Sequence, residues 1–283
     1  MNALDHAMVM NQAFAAGVMN EALNAARMKE ERLPFTIRVV RDDGALRKAV
    51  TIRQSAYGRH VPEFAAKLGA PEPNDHDAGS VVLLAESKLD GSPVGTMRIQ
   101  TNRFRDLTIE QSVALPQWLE NRSMAEATRL GVALGRTGRL VKTALFKALY
   151  FYCLESEIEW MVIGARSPLD RMYEALLFQD LFPGELIPLR HFDNIPHRIL
   201  AFDIQGARAQ WEDARHPLLD FMCYTNHPDI DLNGARFPSQ DISVPMSGLS
   251  TELTRVSWND ANVSFRHSHV HNADSTAQRA ICA

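Results

Sequence analysis

Ala125-Glu126-Ala127-Thr128-Arg129-Leu130-Gly131-Val132-Ala133-Leu134, followed directly by Gly135-Arg136-Thr137-Gly138-Arg139, is the stretch that decides the fold. The first part is apolar or small except at Glu126, Thr128 and Arg129, and it reads as a strand. The glycines of the turn let backbone approach a ligand closely. Beyond the turn, Leu140, Val141, Ala144, Leu145, Ala148, Leu149 and Tyr152 recur at helical spacing, predicting a helix to about residue 155. Downstream, Trp160-Met161-Val162-Ile163-Gly164-Ala165 reads as a buried strand, and Pro168 opens a helix through Phe178. Two strands follow near 186–191 and 198–204, then a helix from Gly206 to about Asp213. Upstream, Phe35–Val40 reads as a strand, Asp42-Asp43-Gly44 as a turn and 45–61 as a helix. A Pro, Asn and Asp-rich loop covers 70–79, and Val81–Ala85 and Val94–Ile99 form a hairpin about Asp90-Gly91. Alternation of this kind predicts an α/β chain, a central sheet covered by helices.

The chain has 283 residues, a formal net charge of -4, 46% hydrophobic and 23% charged residues. Such a composition fills a sizeable core and excludes disorder of the whole chain. A mildly acidic total argues against a general nucleic-acid binder. No apolar run reaches the ~18–20 residues of a membrane helix, and the Met1-Asn2-Ala3-Leu4-Asp5 start lacks a secretory pattern. Cys153, Cys223 and Cys282 are scattered and form no CxxC pair, so a cytoplasmic protein without a disulfide framework or a metal site is expected. Residues 1–34, with Met8, Phe14, Val18 and Leu23 at helical spacing, form an N-terminal helical segment, and 35–231 form the main domain. From 232 to 283 the chain turns to Asn, Ser, Asp and Pro and reads as an extended or partly disordered arm; His267, His269 and His271 in it read as solvated.

Four constellations carry possible chemistry. Between Glu126 and Glu155 there is no acidic residue, whereas Arg129, Arg136, Arg139, Lys142 and Lys147 are all basic. With the free N–H groups of the first turn of the helix that follows 135–139, this is either a docking face for a phosphate or acidic partner, or a solvated turn. Glu126 and Arg129 converge if a bulge intervenes and otherwise form an edge ion pair; such a glutamate takes a proton from an attacking amine, and such an arginine grips a carboxylate. Arg98, inside an apolar strand, needs a partner, for which Asp75, Asp77 and Glu126 are the candidates. Tyr173 is either a core tyrosine or a proton donor to a departing thiolate. Met97, Phe146, Phe151, Met161 and Met172 suit a long acyl chain or plain core packing.

Taken in order, Ile52-Arg53-Gln54-Ser55-Ala56-Tyr57, Asp75-His76-Asp77, Gly95-Thr96-Met97-Arg98-Ile99 and Glu126-Ala127-Thr128-Arg129-Leu130-Gly131-Val132 resemble the GCN5-related N-acyltransferase fold. Within it they resemble the branch of N-acyl amino acid synthases and acyl-homoserine-lactone synthases. His216-Pro217-Leu218-Leu219-Asp220-Phe221 and His227-Pro228-Asp229-Ile230 look like the N-acyl amino acid synthases. The resemblance implies a mixed central sheet with two splayed parallel strands, here about 125–134 and 159–165. It implies transfer of a medium- or long-chain fatty acyl group from acyl carrier protein to the amine of an amino acid. The acyl-phosphopantetheine thioester is then a co-substrate, and no cofactor is implied. Glu126 would accept the amine's proton and Tyr173 would act as the acid. Arg53, Asp75, Asp77, Arg98 and Arg129 would bind substrate, with backbone around Val132 and Leu134 stabilising the oxyanion. Arg136, Thr137, Gly138, Arg139 and Lys142 would receive the phosphate and the carrier. The family pattern Tyr-Glu-x-x-Gly-Phe departs here at Leu177, which replaces glycine. Alternatives are a lactone-producing signal synthase and a non-catalytic module that binds carrier protein.

Overall fold

The computed structural model describes residues 28–235. The expected N-terminal helices, the arm from 236 onward with His267, His269 and His271, and Cys282 lie outside the described residues. Strands β1 (Lys29–Glu30) and β2 (Phe35–Val39) lead into helix α1 (Asp43–Gly58). The Asp42 carboxylate accepts the Ala45 N–H at 2.8 Å and starts α1, so the expected turn at 42–44 is the helix's own N-cap. Pro62 opens a second helix, α2 (Pro62–Ala66), rather than lying beyond a single helix to residue 61.

Strands β3 (Ser80–Ser87) and β4 (Pro93–Thr101) form the expected hairpin, with Gly91 at φ +68 in its turn. A long excursion with two short 3-10 turns then leads to β5 (Met124–Val132). Helix α3 (Gly138–Glu155) and β6 (Trp160–Ala165) follow as the apolar pattern predicted. Helix α4 spans only Leu169–Ala175, followed by β7 (Gln179–Asp180), β8 (Ile187–Leu189), β9 (Ile195–Asp203) and α5 (Ala207–Asp213). Strands β10 (Thr225–Asn226) and β11 (Ile230–Asp231) complete the set.

The main sheet runs β11-β2-β3-β4-β5-β6-β9-β7, with β8 also paired to β9. Its centre is antiparallel from β2 to β5, parallel at β5–β6 and antiparallel again at β6–β9. The two faces are covered differently. On one, α3 approaches so closely that a Cβ on Gly95 would lie 2.5 Å from Val141 Cγ1. Phe146, Phe178, Phe202 and Trp211 pack ring against ring there, and Met97, Phe146 and Met161 are buried core residues. On the other face lies α1, and a Cβ on Gly131 of β5 would meet its backbone at Arg53 Cα, 3.1 Å away. Glycine at 95 and 131 is what lets both layers sit on the central strands.

Helix α4 ends where the sequence departs from the family pattern. Phe178 N–H donates to Tyr173 O (3.0 Å) and Leu177 N–H to Glu174 O (2.9 Å), a Schellman end. The motif needs a left-handed residue, and Leu177 supplies it at φ +73. The helix therefore stops three residues before the expected Phe178.

Candidate active site

Strands β5 and β6 meet in register at Met124–Trp160, Ala125–Met161 and Glu126–Val162, and nowhere further along. From Ala127 onward β5 is paired only to β4, and from Ile163 onward β6 only to β9. Two parallel strands that separate in this way expose backbone between them, and Glu126 stands at the apex.

A bulge on β5 gathers polar side chains on the α1 face. Thr96 pairs with Gly131 and Arg98 with Thr128, so Arg129 and Leu130 oppose the single residue Met97. Arg129 is left-handed at φ +56. The extra residue shifts the alternation, so that Glu126, Thr128, Arg129 and Gly131 all face α1. Neighbouring strands add Ser80, Gln100 and Arg98 to that face, because Ser80 pairs with Gln100 and Gln100 with Glu126.

Arg53, Arg98 and Arg129 converge on two carboxylates. Arg53 grips Asp75 with both terminal nitrogens (2.8 and 2.9 Å) and reaches Glu72 at 3.1 Å. Arg98 Nη1 lies 3.1 Å from both Glu72 and Asp75, and its Nε donates to Thr128 Oγ1. Arg129 holds Glu72 bidentately at 2.7 Å, under the Phe64 ring. Burial alone would raise both carboxyls, but the guanidinium bonds and charges outweigh it and hold them below their usual range. Glu72 is thus the partner of Arg129 and, with Asp75, of Arg98. Neither Glu126 nor Asp77 joins Arg98. Asp77 instead pairs with Arg105 on a half-exposed rim, at an open cleft also lined by Ser80, Gln100, Thr101 and Phe104. Glu72 was missed because it sits in a loop readable only as a turn, although Glu72 and Asp75 cap each other's backbone there.

Glu126 is 1% exposed. Its Oε2 accepts from Thr108 Oγ1 (2.7 Å) and Ile109 N–H (3.1 Å), both from the excursion between β4 and β5. Burial raises its pKa above the usual carboxylate range. Its Oε1 has no hydrogen-bond partner. The ring of His191 lies beside it, with Nε2 at 3.7 Å from Oε1. His191 comes from a single turn after β8 (Arg190–Phe192), and its carbonyl accepts from Arg129 Nη2 at 3.1 Å. No motif in the sequence marked this histidine. The bulge brings Glu126 and Arg129 to one face, yet they do not pair: Arg129 donates to the His191 carbonyl, and the His191 ring stands 3.7 Å from Glu126.

The remaining candidates are placed as follows. The Ala133 N–H donates to Val94 O at 3.0 Å, so alternation turns the Val132 N–H and C=O away from β4. Arg59 donates to that carbonyl at 2.7 Å. Leu134 lies past the strand with its side chain 80% exposed. Arg136, Thr137 and Arg139 are exposed at the start of α3, with Gly138 and Lys142 half-buried beside them. Of the five basic residues counted in this segment, two are not on that face. Arg129 is internal, and buried Lys147 donates to Phe221 O and to His227 Nδ1. Tyr173 is buried against Phe178, ring centroids 5.1 Å apart, and burial pushes its phenol pKa up.

Among solved structures, the chain is similar to FeeM, an N-acyl amino acid synthase from uncultured soil microbes. The TM-score is 0.50 at 18% identity, over 66% of this chain and 97% of that one. A CoA-dependent acyl-homoserine lactone synthase, BjaI, gives a TM-score of 0.46 at 18% identity over 71% and 95% of the two chains. Aminoglycoside 6'-acetyltransferase type Ii gives 0.41 at 14% identity over 59% and 96%. No family model and no curated protein matches the sequence. The likeness to FeeM shows the fold: the described residues have the GCN5-related N-acyltransferase architecture, a mixed sheet with splayed parallel strands flanked by helices. No helix among the described residues is long and apolar enough to cross a membrane.

Proposed function

We propose that this chain is an N-acyltransferase that moves a medium- or long-chain fatty acyl group from a carrier-borne thioester to the amine of an amino acid. The observation that carries the reading is the separation of β5 from β6 just after the register pair Glu126–Val162, with a buried carboxyl at its apex. The Val132 N–H turned toward the opening suits an amide carbonyl of a pantetheine arm, the Val132 carbonyl being held by Arg59. The exposed Arg136 and Arg139 at the α3 start suit its phosphate and an acidic carrier protein. Holding the thioester carbonyl beside an amine supplies the proximity such a reaction needs. Glu126 accepts the proton that the amine sheds. The arginine cluster is internally paired, so its part is to fix α1, the 72–75 loop and the β5 bulge around the opening. Tyr173 acts on the departing thiolate only if a bound arm comes within reach of its phenol. Lipids extracted from cells overproducing the chain test the reading by mass spectrometry. N-acyl amino acids should accumulate with the native chain and be absent with Glu126→Gln; equal lipid profiles with and without the chain would refute it.

A further inference from the structure

Glu126 and His191 each carry a buried polar atom without a partner. Glu126 Oε1 and His191 Nδ1 are both fully enclosed and make no hydrogen bond. The other ring nitrogen of His191, Nε2, stands 3.7 Å from Glu126 Oε1, too far for a hydrogen bond between them. Buried polar atoms are nearly always satisfied, so the unpartnered Oε1, with Nε2 standing 3.7 Å from it, marks a place where something else binds.

The surroundings define the chemistry of that something. Glu126 is held by Thr108 and Ile109 through its other oxygen, which leaves Oε1 aimed and free. His191 is fixed through its own carbonyl by Arg129, and its neighbour Phe192 stacks on Phe64 at 4.2 Å. Burial, then the charges of Arg129, His197 and Arg98, hold the imidazole neutral, with a pKa pushed down to about 4 against a weak opposing pull from the Thr108 carbonyl. With its proton on Nδ1, the neutral imidazole offers a lone pair at Nε2, and a carboxylate offers another. An atom about 2.9 Å from each of two acceptors 3.7 Å apart is a geometrically ordinary bridge. That atom must donate at least two hydrogen bonds, and it sits at the apex of the strand opening. A primary ammonium meets both demands.

Resting on the acyltransfer reading, we infer that His191 and Glu126 together form the amine site, binding the acceptor's ammonium between Nε2 and Oε1 and taking its proton. The ammonium gives one proton to this pair, and the freed nitrogen lone pair attacks the thioester carbonyl carbon. The C–N bond forms and the C–S bond breaks, with the electron pair leaving on sulfur. Of the three ammonium protons, one stays on the amide, one ends on the departing thiol and one passes through the pair to solvent. His191 is a second proton acceptor that no motif indicated.

Two measurements on the full-length chain test this. In the first, 15N-histidine-labelled protein is titrated with an equimolar mixture of the twenty amino acids, without acyl donor. The His191 ring nitrogens should shift, and a Glu126→Gln chain should shift at least about fivefold less at equal concentration. An unmoved His191 spectrum overturns the assignment whether or not transfer occurs. A shift without any acyl transfer upholds the amine site and refutes the transferase reading instead. In the second, His191→Phe should lower kcat/KM for the amine at least about 100-fold, the scale of one lost proton acceptor, with donor KM unchanged within about twofold. His191→Asn, which accepts a hydrogen bond but takes no proton, should restore the amine KM and not kcat. Full activity in a folded His191→Phe chain, or full rescue by asparagine, would overturn the proton-transfer role.

Discussion

Val162 is the last residue of β6 to meet β5 in register, and its partner there is Glu126. One step further the strands part, and the carboxyl at the fork is enclosed, raised in pKa and bonded through one oxygen only. The register and the chemistry thus coincide at one residue pair.

The arginine cluster should be far less tolerant than the rim. Glu72→Gln leaves three buried guanidinium groups on the single carboxylate of Asp75, and breaking a buried ion pair costs about 3–5 kcal/mol. Asp77→Asn removes only the half-exposed pair with Arg105 and should cost less than about 1 kcal/mol. Urea denaturation of both variants checks the contrast, and equal midpoints would contradict it.

Gly131 sets how closely α1 approaches β5. A methyl there meets Arg53 Cα at 3.1 Å and Ile52 O at 3.3 Å, both backbone atoms that cannot rotate away. Gly131→Ala should therefore destabilise the chain by about 1–3 kcal/mol and, by displacing Arg53, reduce transfer as well. A thermal melt with an activity assay tests both, and a neutral variant would show that α1 gives freely.

Leu177 occupies a left-handed position that glycine would occupy without strain. The left-handed conformation costs a non-glycine residue roughly 1–2 kcal/mol. Leu177 is partly exposed, so the packing lost with its side chain is limited. Leu177→Gly should raise stability by about 1 kcal/mol net in denaturant titration; a loss of that size would mean the side chain matters more than the backbone.

Acid should weaken the fold through its buried histidines. His191 and His197 are pushed by burial from the usual 6.5 to about 4. Between those values the unfolded chain holds protons that the folded chain does not, so stability falls as pH drops through that window and the loss is complete below it. Each histidine contributes at most about 1.4 kcal/mol per pH unit. Melting temperatures measured from pH 7 to 4 should fall, and His197→Phe should flatten the slope; an unchanged slope would exclude His197 as a source.

Much of the architecture was readable because it depends on local pattern. The apolar run 160–165 and the periodic helix after Gly138 coincide with β6 and α3. The ordered motifs around Arg53, Asp75, Arg98 and Glu126 marked the face that the bulge assembles. Less readable were features set by distant residues. Glu72 becomes a ligand of three arginines only when a loop folds over α1, and His191 reaches Glu126 only through the β8–β9 hairpin. Lys147 counted as surface charge in the sequence, yet it is buried against the 221–227 segment, because a helix's buried stripe can carry a lysine whose amine finds carbonyl and imidazole acceptors.

The most direct test is the purified chain mixed with a decanoyl-loaded acyl carrier protein and each amino acid in turn, following free thiol and product mass together. The account predicts that at least one amino acid yields one linear acyl amide per thiol released, and that Glu126→Gln cuts the rate by at least about 100-fold. Stable carrier binding with no thiol released by any amino acid would contradict it.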